Sequence, residues 1–162
     1  MVAGLRPISN RRHYREFKFQ PRTHPHAWNI LLKDSEQQMP KDAAALCQKH
    51  GIDVSYANNV FWMVQLLEAW LLAHPEALEA YYALPSSSFA RTEDVEQIPK
   101  SEALRRLKEP TRHTTKGQYD KVRHAPYLLE RIDPDQVKKR ARNCRKLFES
   151  VLEKLKESGP GT

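Results

Sequence analysis

Residues 60–85, VFWMVQLLEAWLLAHPEALEAYYALP, limit what this chain can fold into more than any other stretch. Val60 to Val64 are β-branched or bulky and suit a buried strand, whereas Leu66 to Leu72, with Glu68 and Ala69, are mostly helix formers. The change of character falls near Gln65 or Leu66. Pro75 fits the first position of the next helix, and Pro85 closes that helix before SSSFARTEDVEQ, which reads as a loop without a packing pattern. The apolar centre therefore predicts strand, helix, helix in quick succession.

Upstream, AWNILLK is a short apolar run ending in charge, and its length favours a strand over a helix. PKDAAALCQKHG then has Pro40 near its start and Gly51 just past its end, the usual asymmetry of a helix. Residues 1–27 hold three prolines and little periodicity, and read as an irregular basic arm with one turn of helix around Arg12–Phe19. From Pro99 the pattern is helical: Ala103, Leu104 and Leu107 share a face that Pro110 ends, and Pro126 kinks or divides YDKVRHAPYLLERI. In IDPDQ, Asp133 caps, Pro134 takes the first helical position and Gln136 has the capping-box spacing. Val137, Ala141, Cys144, Leu147, Phe148, Val151, Leu152 and Leu155 then recur as one amphipathic helix of about five turns. The fold class is α/β and α-rich: a small sheet flanked by helices, with a helical C-terminal half. Residues 28–157 form a single domain, and 158–162 a disordered tail.

A chain of 162 residues suits one domain that buries most of its core without staples. Cys47 and Cys144 lie in no metal-binding or disulfide spacing, so both are expected as reduced thiols of a cytoplasmic protein. No apolar run approaches the roughly 20 residues a membrane helix needs. Net charge is +7 and is segregated. Residues 1–33 carry seven Lys/Arg against one Glu, 34–99 carry three against ten acids, and 100–162 carry seventeen against nine. Basic flanks around an acidic centre suit a polyanion held beside carboxylate chemistry, or else are solvated helix faces.

Three constellations carry candidate chemistry. Asp34 and Glu36 end the first apolar run; on a strand, residues two apart point the same way and could converge on Mg²⁺, which takes one or two protein carboxylates and keeps several waters. The alternative is the polar start of a surface loop. Glu68 lies inside MVQLLEAWLL, where an ionised carboxylate is costly unless paired, hydrogen-bonded or metal-bound. RHTTKGQYDKVRH, residues 112–124, gathers Arg112, His113, Lys116, Lys121, Arg123 and His124 around Gly117, with Thr114, Thr115 and Tyr119 as hydroxyl donors, and suits a phosphate or a solvated loop. No P-loop, HExxH or Gly-x-Ser-x-Gly pattern occurs.

Taken in order, LLKDSE, MVQLLEAWLLAHPEAL, VEQIPKSEALRRL, TKGQYDKVRHAPYLLERIDPDQV and CRKLFESVLEKL resemble the DUF4276 family of Toprim-like domains over about residues 28–156. The resemblance implies a Toprim-like sheet and a Mg²⁺-dependent site that cleaves the phosphodiester bonds of DNA or RNA. It also implies kinship with overcoming-lysogenization-defect nucleases and an AAA- or ABC-type ATPase partner in phage defence. Asp34 and Glu36 would match the Toprim Asp-x-Asp pair as catalytic and metal residues, with Glu replacing the second Asp, and Glu68 the family's EAW position. Lys116, Gly117, Tyr119, Lys121 and His124 match its basic stretch, and Lys116, Lys121, Arg123 and His124 are the expected nucleic-acid ligands. One departure is plain: family members open with a strand leading to a Glu-Gly segment, and before Trp28 the only acid is Glu16, with no glycine turn after it. An impaired nuclease, a chain cut short or mis-started, and a site that borrows its early acid are the resulting expectations. The rival is a non-catalytic subunit that binds nucleic acid and an ATPase.

Overall fold

A computed structural model describes residues 27–39 and 43–157. The expected basic arm, apart from Ala27, the tail at 158–162 and Pro40 lie outside the described residues. Strands β1 (Leu31–Asp34) and β2 (Val60–Met63) pair in parallel, with Leu31 opposite Val60 and Asp34 opposite Met63. Parallel neighbours need a crossover. Here it is α1 (Ala43–Lys49), closed by Gly51 in the left-handed region at φ 67°, and a 3₁₀ turn, Val54–Asn59, capped by Asp53.

Alternation along the strands divides the apolar side chains between two cores. Leu31, Val60 and Trp62 pack with Leu46, Cys47 and Ile52 of the crossover. Leu32, Phe61 and Met63 face the larger core, built by α2 (Leu67–Leu72), α3 (Pro75–Tyr82), α4 (Lys100–Thr111), α5 (Lys121–Leu129), α6 (Pro134–Arg140) and α7 (Arg142–Glu157). Cover on both faces is what a parallel pair requires. Both cysteines are buried. Among the described residues no helix is long and apolar enough to cross a membrane.

The strand-to-helix change falls where the sequence predicts it, and a buried side chain holds it there. Gln65, at φ 59°, donates through Nε2 to the Ile98 carbonyl (2.6 Å) and accepts through Oε1 from the Lys100 amide (2.8 Å). Its own amide donates to Ser35 Oγ (2.7 Å). One glutamine thus ties the ends of both strands to the start of α4.

Four expectations change. The 86–97 loop does pack, because Phe89 and Val95 are buried in the main core and Val95–Gln97 form a 3₁₀ turn. Pro110 lies inside the last turn of α4, which runs on to Thr111. Of the two outcomes expected at Pro126, a kink or a division, the division does not occur: Pro126 sits within a single α5, and the bond it removes is to the carbonyl of Val122, a residue 85% exposed. The five-turn C-terminal helix is two helices, broken at Ala141 in extended backbone. There the buried Glu96 carboxylate accepts from the Asn143 amide (2.7 Å) and Nδ2 (2.9 Å), capping α7 from another part of the chain.

Candidate functional site

Asp34 is the last residue of β1, so its side chain leaves the sheet at the carboxyl end of the parallel strands, where open α/β sheets place their ligands. Its Oδ1 accepts from the Leu67 amide (2.9 Å) and its Oδ2 from Lys121 Nζ (3.1 Å). The first bond caps α2, whose own N-cap residue, Leu66, offers no side-chain bond.

Glu68, in the first turn of α2, is 2% exposed. A carboxylate at such depth needs partners for its oxygens. Oε1 accepts from the Tyr119 hydroxyl (3.1 Å) and Oε2 from Lys121 Nζ (3.3 Å). Burial, reinforced by the Glu68 charge and hydrogen bond, pushes the Tyr119 phenol well above its ordinary range and keeps it a donor. Burial works to lower the Lys121 ammonium, but the Asp34 and Glu68 carboxylates outweigh it and hold the group above its usual value. One ammonium therefore bridges two carboxylates from different elements.

Glu36 reaches the same place by another route. The strand ends at Asp34 and Glu36 adopts φ 59°, so the two-apart alternation of a strand does not govern where it points. Its amide donates to the Gln65 carbonyl (2.9 Å) and its carboxylate pairs with Lys100. Asp34, Glu36 and Glu68 all line one cleft of about 360 Å³, with Leu66, Lys100, Leu104, Lys108, Tyr119, Asp120 and Lys121. Four carboxylates there face three ammonium groups. Asp120 is committed to α5, whose Arg123 amide it caps (2.9 Å). Among the described residues no group of three His, Cys, Asp or Glu is arranged to hold a metal ion.

The basic stretch divides. Lys121 enters the cleft, and the other three expected phosphate ligands do not line it. Lys116 Nζ sits 4.8 Å from the centre of the Tyr81 ring. Arg123 is exposed on α5. His124, 3% exposed, accepts from the Asp120 amide through Nδ1 (2.9 Å) and packs against Tyr81, Tyr82 and Tyr119, so it holds the start of α5 instead of facing a phosphate. Sequence reasoning missed Lys100 and Lys108. The signal was their spacing with Leu104, four residues to either side, which puts all three on one face of a helix.

A family model described as a domain of unknown function (DUF4276) matches residues 8–152, so the chain belongs to that family. No curated protein and no solved structure matches it.

Proposed function

We propose, for this member of the DUF4276 family, a Toprim-like, Mg²⁺-dependent cleavage of nucleic-acid phosphodiester bonds at the cleft between the ends of the strands and α4. One observation carries the reading: Asp34 and Glu68 each bring a carboxylate oxygen within 3.3 Å of the same cationic nitrogen. The donor set is hard oxygen, and two carboxylates are what a water-rich Mg²⁺ site asks of a protein, so the residues fit the ion without a complete cage. The charge balance supports it too. A cleft with one carboxylate in excess repels a phosphate until a further cation enters it.

A bound Mg²⁺ supplies a water of lowered pKa and neutralises charge on the phosphate. Asp34 and Glu68 hold its place, and Tyr119 keeps Glu68 oriented through the hydroxyl bond. Lys121, freed from both acids, remains at the cleft with an ammonium for a phosphate oxygen. Cys47 and Cys144, buried and not joined to each other by a disulfide, are in keeping with a reducing, cytoplasmic compartment.

A second reading has its own observation. Lys121 already bridges Asp34 and Glu68, as in a structural ion-pair cluster, and that suits a non-catalytic subunit serving an ATPase partner. The test is cleavage of plasmid DNA and of structured RNA with Mg²⁺ or Mn²⁺ against EDTA. Metal-dependent cleavage that falls about 100-fold or more in Asp34→Ala and in Glu68→Gln is the expected result. Cleavage unchanged in Asp34→Ala overturns the proposed site. No cleavage by the wild type, with co-purification of an ATPase, selects the second reading.

A further inference from the structure

The geometry points to α4 as the element that grips the substrate: a single strand of nucleic acid, lying along the helix with its phosphates on Lys108 and Lys100. This deepens the proposed function and rests on it. Lys100, Leu104 and Lys108 share one face and all line the cleft that holds Asp34 and Glu68. The arginines of the same helix are engaged elsewhere. Arg105 pairs with Glu102 and Glu109, and Arg106 with Glu102 and the Thr92 hydroxyl. Lys108 is exposed and, among the described residues, has no carboxylate in ion-pairing range. Lys100 is paired with Glu36, but the two side chains are 47% and 41% exposed, and a pair so open to water exchanges readily for a phosphate oxygen.

Distance sets the length of what is gripped. Eight residues of helix rise about 12 Å, the axial rise of about three to four nucleotides of one strand. Lys121 emerges from α5 into the same cleft, so a strand on this line passes the Asp34–Glu68 oxygens. A cleft of about 360 Å³ is the size that takes a small ligand, so one nucleic-acid backbone fits within it. Leu104, between the two lysines, gives a sugar or base an apolar surface.

The test is binding of a labelled single-stranded oligonucleotide to the full chain, with Ca²⁺ replacing Mg²⁺ so that the strand stays intact, over a range of salt. Lys108→Ala should weaken binding about three- to tenfold and lower the slope of log K against log salt by about 0.7, the share of one phosphate contact. Lys108→Arg should keep both values. Lys156→Ala, an exposed lysine in the last turn of α7, should change neither. Wild-type affinity and slope in Lys108→Ala, an equal loss in Lys156→Ala, or a duplex bound as tightly with the same dependence on Lys108 overturns the proposal. Failure of the cleavage reading looks different: no Mg²⁺-dependent cleavage, with the Lys108 dependence of binding still present.

Discussion

Lys121 answers two acids that lie 87 and 53 positions away in the chain, and so it joins β1, α2 and α5 at one atom. Its removal leaves Glu68 buried with the Tyr119 hydroxyl as its one remaining side-chain donor among the described residues. Such a loss costs about 1–3 kcal/mol. Lys121→Met should accordingly unfold at lower urea than the wild type. If Asp34 and Glu68 are also cation ligands, Mg²⁺ should raise the midpoint of Lys121→Met more than that of the wild type, since no ammonium competes for the oxygens. At a hundredfold excess over Kd the gain is about 2.7 kcal/mol. A destabilised variant that ignores Mg²⁺ would make Lys121 a structural ion pair and nothing more.

At the scale of elements, the loop after α3 shows how a segment without periodicity is held. Arg91 donates to both oxygens of Glu79 on α3 (3.1 Å each), and the Phe89 amide donates to Glu79 Oε1 (3.3 Å), which fixes Phe89 in the core. The Arg91 hydrogen bond, working against burial, holds the Glu79 carboxyl below its ordinary value. A carboxyl depressed in the folded state stabilises fully above its unfolded pKa, about 4.3, and loses that contribution as pH falls through the folded value. Glu79→Gln should be less stable than the wild type by about 1–3 kcal/mol at pH 7, and urea melts should show the gap closing on acidification. A gap that stays constant down to pH 2.5 would contradict the clamp. None of this is legible beforehand, because Phe89 and Glu79 meet through a turn no pattern marks. Both strands, α1, α3 and the IDPDQ start were legible, since apolar runs, Pro at the first helical position and Gly after the last are local signals. The break at Ala141 was not: alanine is the best helix former, and Glu96, which caps α7, lies 47 residues before the Asn143 amide it accepts from. Asp34 stood out as an acid at the end of one apolar run, and Glu68 as an acid inside another. Lys121 was one cation among several until the fold chose it, and Lys100 and Lys108 were passed over because they sat on a helix read only for its apolar face.

Across the whole molecule, the charge segregation of the sequence becomes spatial at the cleft. Asp34, Glu36 and Glu68 come from the acidic middle, and Lys100, Lys108 and Lys121 from the basic C-terminal third. The fold brings the two together at the carboxyl end of the strands; under the proposed function the carboxylates would take a cation, and the lysines would then take the phosphate it attracts. That order, cation before phosphate, is the central claim. Titration with Mn²⁺, following the free ion by electron paramagnetic resonance, tests it most directly. The wild type should bind one Mn²⁺ per chain in the cleft, and the double variant Asp34→Asn, Glu68→Gln should lose that site while remaining folded by circular dichroism. Mn²⁺ binding that is the same in the wild type and the folded double variant would contradict it.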